Sequence, residues 1–320
     1  MSIRKTEFIS KYYYGKEVVD LDEFIVSLAD SCNLNCEYCY LKFSKTPKKP
    51  VVYENIEEFI KEIDELFKNS EEKIFYFHFG ETTDSLLSKK HIQLLYKFCE
   101  VISERSKVYS KSCFIEVRTK TFNISQLTKY NFNFDNLKLI YTTSLSPQNI
   151  IDAFEKKTST LEERISSLKQ AQSITKLIGI RLEPIIIYPL VNIDYEGIKK
   201  SVLNTIKEYN EVLKKVFDVV DPKNLHSISL STLRLTKKQF KVLKEKKSKL
   251  CFPEMTLCID GKFRYSRPIR TTIYKELINF IKYHHTNLLE KIILSFEFKY
   301  IWQDCGLQIK TLPNLSINVE

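Results

Sequence analysis

Short runs rich in β-branched and aromatic residues alternate along this chain with longer stretches whose apolar positions recur every three or four residues. The runs at 23–28, 73–79, 113–119, 137–144, 178–187 and 227–233 read as strands. Between them, residues 55–68 carry Ile56, Phe59, Ile60, Ile63, Leu66 and Phe67 at helical spacing, with Asn55 placed as N-cap. Residues 89–106, 161–176 and 195–216 read as helices in the same way. Repeated βα units predict an α/β fold built as a partial (β/α)6 barrel, an incomplete relative of the eight-unit barrel, with its chemistry at the carboxyl ends of the strands. Beyond about Thr236 the rhythm changes. A hairpin around Asp260 and Gly261, a helix over 271–283 and a last strand over 291–296 predict a C-terminal extension. The expected organisation is therefore an N-terminal segment (1–21), the partial barrel (22–235) and the extension (236–320).

Composition narrows this picture. At 320 residues the chain can bury a full core. No run of 18 apolar residues is present and the N-terminus has scattered charges in place of an apolar h-region, so no membrane partner is expected and the location expected is cytoplasmic. Lys and Arg exceed Asp and Glu by ten, which would suit nucleic acid or an acidic peptide. The surplus reads as spread over lysine runs such as 237–249, and such runs are commonly solvated helix faces. Eight cysteines are too few and too unevenly placed for a disulfide scaffold, which directs attention to the tight group at 32–39.

Cys32, Cys36 and Cys39 follow the first predicted strand, spaced by three and then two residues. A structural zinc site wants four ligands, and no neighbouring Cys or His supplies the fourth, whereas three thiolates on a [4Fe–4S] cluster leave one iron free. An open iron is what chelation of the amino and carboxylate groups of S-adenosylmethionine requires, so that one electron from the cluster can cleave the sulfonium. Cys251, Cys258 and Cys305 are too far apart in sequence to suggest a second cluster, and Cys99 falls inside an amphipathic helix, where an inert thiol is the default.

C-x3-C-x2-C after a first strand resembles the radical S-adenosylmethionine superfamily, and the ordered set of later segments resembles its spore photoproduct lyase family. That set comprises Cys36 to Leu41, with tyrosines on both sides of Cys39; Phe77 to Leu86; Val117 to Lys120; Ser144 to Gln148; Phe154 to Thr158; Arg181 to Ile185; Ser229 to Arg234; and Asp260 to Pro268. Each piece is weakly specific, but their order across about residues 22–285 is not. The resemblance implies that Tyr40, Thr83, Lys120 and Ser144 contact S-adenosylmethionine, with Lys120 as the cation for its carboxylate. Glu81 and Asp84 are alternatives for its ammonium group. Arg181 and Glu183 either reach the ribose or the substrate, or form a salt-bridged rim pair. Tyr38 and Tyr40 match tyrosines that relay a hydrogen atom, although a tyrosine there can also simply pack over a cluster.

Glu81 is a departure, since the family carries at that position a cysteine that returns hydrogen to the product radical. Arg264, Tyr265, Arg267 and Arg270 form a basic and aromatic group on the predicted hairpin, suited to phosphate contacts and stacking or to internal ion pairs. The implied activity is hydrogen abstraction from a bound substrate by a lyase-like enzyme, with a flavodoxin or ferredoxin type of one-electron reductant as partner. The substrate is either a nucleic-acid lesion or base, or a ribosomal peptide. A non-catalytic cluster-bearing binding or redox-sensing protein is the rival from another class.

Overall fold

The structure, a computed structural model, describes residues 2–317. Its strands are β1 (Ile9–Lys11), β2 (Phe24–Val26), β3 (Ala29–Asp30), β4 (Val51–Val52), β5 (Ile74–Phe79), β6 (Ser112–Thr119), β7 (Leu137–Ser144), β8 (Ile178–Ile185), β9 (Leu225–Thr232), β10 (Arg234–Thr236), β11 (Met255–Leu257), β12 (Lys262–Tyr265) and β13 (Ile292–Leu294). The α-helices are α1 (Ile56–Asn69), α2 (Lys89–Val108), α3 (Ile124–Leu127), α4 (Gln148–Phe154), α5 (Leu161–Ala171), α6 (Tyr195–Phe217), α7 (Lys237–Glu245), α8 (Arg267–His284), α9 (Lys299–Asp304) and α10 (Leu312–Ile317).

Eight strands form one sheet in the order β1-β2-β5-β6-β7-β8-β9-β13. Every pairing from β2 to β13 is parallel, and β1 joins β2 antiparallel. The sheet is open and curled, a half-barrel as the βα rhythm predicts. All six expected strands lie in it. The last strand expected near 291–296 is β13, and it adds parallel to β9, with Ile292 opposite Ile228, extending the same sheet.

Helices cover the outer face. The apolar stripe of α1 buries Phe59, Ile63 and Phe67, and Phe59 meets Phe98 of α2 with ring centroids 4.2 Å apart. Asn55 does not cap α1 through its side chain. It accepts from the Arg4 amide (2.8 Å) and donates to the Arg4 carbonyl, pinning the N-terminal segment. The concave face is different in kind. Because side chains alternate along a strand, Glu116 and Arg118 of β6 and Arg181 and Glu183 of β8 point to one side with the pleat. Charge therefore lines the inside of the half-barrel where an ordinary core would be apolar.

The expected hairpin is present as β11 and β12, and β10 pairs with β12 to make a separate three-stranded sheet. No helix among the described residues is long and apolar enough to cross a membrane.

Candidate functional site

The three cysteines lie just past the end of β2. The two-residue ladder of β3 with β4 closes a loop over residues 31–50, whose first half carries Cys32, Cys36 and Cys39. Ser31 and Asn35 hold left-handed backbone (φ 72° and 60°), which turns the chain tightly around the sulfurs. All three thiols are free; Cys36 is buried and the other two half-buried. Amides already point at sulfur, from Leu34 and Asp84 to Cys32 and from Leu41 to Cys39. Burial pushes the Cys32 and Cys36 thiols up to about 12 and raises Cys39 as well, with Cys39 adding to the rise at Cys32 and both Cys39 and Cys32 adding to that at Cys36. Such a set ionises only when a strong cation replaces its protons. Among the described residues no three His, Cys, Asp or Glu side chains converge on one metal ion. Sulfurs that bind separate corners of a cluster have no need to do so, and soft thiolates with amide donors suit iron–sulfur ligation.

Beside this loop stands a residue that sequence reasoning carried only as one letter of a motif, Glu155, immediately after α4. The Glu37 amide donates to the Phe154 carbonyl (2.8 Å), which fastens the end of α4 to the cysteine loop. The Glu155 carboxylate accepts from the Tyr38 hydroxyl, from Lys120 Nζ (3.0 Å) and from Arg164 Nη2. Burial alone would raise its pKa, but Arg164 and Lys120 overcome this and hold it well below the usual carboxylate range. The Lys120 ammonium also lies over the Tyr38 ring, 5.6 Å from its centroid. Tyr38 and Lys120, singled out separately from sequence, are thus joined through one buried carboxylate.

The turn after β5 supplies the next group. Gly80 has φ +107°, and a Cβ there would sit 2.8 Å from the Arg118 carbonyl and from Ser85 Oγ, so only glycine fits this turn. Asp84 spends both oxygens locally: Oδ1 accepts from the Leu86 amide (3.0 Å) and Thr119 Oγ1 (2.8 Å), and Oδ2 from the Lys120 amide (2.7 Å). It knits the ends of β5 and β6 together. Thr83 is buried with its hydroxyl 3.4 Å from His91 Nε2, and half-buried Ser144 gives its carbonyl to Arg164 Nη1 (2.9 Å). The Tyr40 hydroxyl donates to the Glu81 carbonyl (2.8 Å). The Glu81 carboxylate accepts from Tyr12 (3.2 Å), a residue the sequence reading passed over, and burial raises its pKa against the pull of Arg118.

Deeper in the half-barrel, Arg181 grips Glu116 through Nε (2.9 Å) and Nη2 (2.8 Å) and reaches Glu183 through Nη1 (3.1 Å). Arg118 donates to Glu116 (2.8 Å) and also pairs with Glu23, which lies 3.7 Å from His78. Burial and Arg118 depress His78 to about 3, against the pull of Glu23 and Glu116, so it is neutral. Arg181 and Glu183 do pair, as the rim-pair alternative expected, but inside a larger network. The signal that could have revealed the network is a charge at every second residue of a strand, 116 with 118 and 181 with 183. Arg234 faces the same space, with its guanidinium 3.5 Å from the centre of the Phe296 ring.

The basic and aromatic group near the hairpin is engaged in internal pairs. Arg264 is fully buried and bound to Asp260 by two bonds (2.6 and 2.8 Å), and Arg270 is buried against Glu297. Tyr265 is buried and accepts from the Ile187 amide (3.1 Å). Arg267 is exposed but paired with Asp304 through two bonds of 2.7 Å. These residues pin the small sheet and α8 to the half-barrel, the internal ion-pair alternative. Cys251, Cys258 and Cys305 fall on three separate connections, after α7, β11 and α9.

The architecture matches solved structures at low sequence identity. A spore photoproduct lyase with a Tyr-to-Phe substitution aligns with a TM-score of 0.70 at 16% identity, covering 93% of this chain and 81% of that one. A doubly substituted spore photoproduct lyase with bound AdoMet and dinucleoside spore photoproduct gives 0.70 at 18%, with the same coverage. A curated spore photoproduct lyase of Clostridium acetobutylicum is 26% identical over 242 residues, 74% of this chain, and the chain spans only 62% of that relative's length. The family model described as spore photoproduct lyase matches residues 14–289, and on that match, which takes in the cysteine loop, the Glu155 hub and the charged interior, the chain belongs to the spore photoproduct lyase family.

Proposed function

We propose that this chain is a radical S-adenosylmethionine enzyme that holds a [4Fe–4S] cluster on Cys32, Cys36 and Cys39 and acts on a lesion or base in nucleic acid. The observation that carries the proposal is the loop of three free thiols, two of them already receiving amide hydrogen bonds, set against the Tyr38–Glu155–Lys120 hub. When bound, the cluster and its cofactor supply a 5′-deoxyadenosyl radical, which takes a hydrogen atom from substrate.

The chain's own residues aim and contain that chemistry. Lys120, released from Glu155 or shared with it, offers an ammonium to a carboxylate of the cofactor, and Glu155 keeps Tyr38 and Lys120 in fixed relation. Thr83, Ser144 and the Glu81–Asp84 turn form the wall for its amino and ribose groups, with Asp84 acting by holding the turn and the Lys120 amide. Arg181 and Glu183 form the floor and exclude bulk water. Tyr38 and Tyr40 are the proposed relay for a hydrogen atom. Glu81 cannot return hydrogen as a thiol would. The phenol of Tyr12 beside its carboxylate is an O–H group at that position. A one-electron carrier of flavodoxin or ferredoxin type completes the system.

The test is anaerobic reconstitution followed by iron and sulfide analysis, then incubation with S-adenosylmethionine and dithionite. Four irons per chain and formation of 5′-deoxyadenosine are expected, with a mass change in irradiated thymine-containing oligonucleotides and none in candidate precursor peptides. A colourless, iron-free protein would overturn the proposal, and a mass change confined to peptides would overturn its substrate class.

A further inference from the structure

The chain's net charge of +10 is concentrated beside the cysteine loop. Residues 41–50 hold four lysines and no acid, and residues 237–250 hold seven lysines and one acid, Glu245. The excess in these two segments equals the charge of the whole protein. All eleven lysines are exposed, and among the described residues none makes an ion pair.

The fold brings the two segments together. Residues 41–50 are the second half of the loop closed by β3 and β4, and Lys42 folds back to donate to the Asn35 carbonyl (3.1 Å) between two of the cysteines. The helix α7 is tied to the same loop at two points, Lys238 Nζ to the Phe43 carbonyl (3.0 Å) and Gln239 Nε2 to the Tyr38 carbonyl (3.0 Å), and the turn after it at a third, Ser248 Oγ to Glu37. Between its lysines lies a shallow pocket of about 300 Å³ lined by Phe240, Ser248, Cys251, Phe252 and Pro253, an apolar centre within a basic rim.

We infer that this face is the docking surface for an acidic one-electron carrier protein, placed so that the electron enters through the cysteine loop. The inference rests on the proposed function, since only a cluster needs that electron. Charge complementarity selects an acidic partner, and uncompensated lysines flanking the entry point raise the encounter rate while leaving the complex transient, as repeated turnover requires. In the exchange the carrier loses one electron and the cluster gains one, with no bond made or broken. Nucleic acid is the other polyanion that could sit here. The exposed lysines are fastened to the cysteine loop itself, whereas the substrate chemistry belongs to the charged interior of the half-barrel.

The test uses the reconstituted full chain with a bacterial flavodoxin as probe and a random-sequence single-stranded DNA as competitor. Flavodoxin affinity should fall at least tenfold between about 50 and 300 mM salt. It should also fall at least tenfold in Lys45→Glu/Lys48→Glu/Lys241→Glu/Lys244→Glu. Lys199→Glu/Lys200→Glu/Lys207→Glu, on exposed positions of α6, should bind as the parent does, and circular dichroism melts check that both variants fold. Equal flavodoxin affinity in the two variants, or loss of DNA binding alone in the first, would overturn the inference. Failure of the cluster to form would be seen before any binding is measured, so it strikes the proposed function separately.

Discussion

Replacing Glu116 by Gln probes the charged interior most directly. Glu116 is fully buried, with Arg181 gripping both oxygens and Arg118 sharing one. Gln keeps the shape but removes the charge, leaving two guanidiniums, themselves 5% and 10% exposed, short of one counter-charge. Breaking a buried pair in this way costs about 3–5 kcal/mol. With an unfolding entropy of about 2.1 cal/mol/K per residue, a chain of 320 residues should lose roughly 4–8 °C in Tm at pH 7. The pH dependence has a definite sign. Burial opposes ionisation of Glu116, but Arg118 and Arg181 outweigh it and hold its pKa well below the ordinary value. Its charge therefore contributes fully above the unfolded pKa, about 4.3, and the contribution is lost as pH falls toward the folded value. The gap between wild type and Glu116→Gln should narrow from about pH 5 downward. Differential scanning calorimetry from pH 7 to pH 3 measures both effects. A Tm loss under about 1 °C at pH 7, or a gap that does not change with pH, would refute the reasoning. Adding Arg181→Met should restore part of the loss, and strict additivity would deny the coupling.

Anaerobic reconstitution of Cys32→Ala, Cys36→Ala or Cys39→Ala should each leave well under one cluster per chain by iron analysis, whereas Cys99→Ala, at a buried helix position, should bind iron as the parent does. Tyr38→Phe removes one donor to an already paired carboxylate, so stability should fall by only about 1 kcal/mol in urea titration, while any hydrogen relay through that phenol is lost outright. Gly80→Ala forces a β-carbon against the Arg118 carbonyl in left-handed backbone and should cost about 1–3 kcal/mol by the same titration. The imidazole of His78, depressed by burial, should show no titration between pH 5 and 8 by NMR. A shift midpoint near 6.5 would mean that the barrel interior is wetter than its packing indicates.

What the sequence disclosed and what it hid follow from how local each signal is. The strand at 137–144 matches β7 end to end because eight residues of alternating and branched character carry their own signature. By contrast β3 and β4 are two residues each, too short for any period, yet their pairing closes the loop that holds the cysteines. The last strand was visible as a strand, but its membership of the main sheet depends on pairing with β9, more than 60 residues earlier, and no local pattern encodes that. The site divides along the same line. The cysteine spacing is contiguous and was legible. Arg264, Arg267 and Arg270 looked available because their partners Asp260, Asp304 and Glu297 are fixed by tertiary packing, and two of those three lie 27 or more residues away. Glu155 shows the limit most clearly, since an acid after a helix is unremarkable in a string of letters. Its importance arises only when Tyr38 from the first loop, Lys120 from the end of β6 and Arg164 from α5 all close on one carboxylate. Substituting Glu155 should therefore disturb the three at once, and a variant that shifted only one of them would mean that the hub is a coincidence of packing and not the element that organises the site.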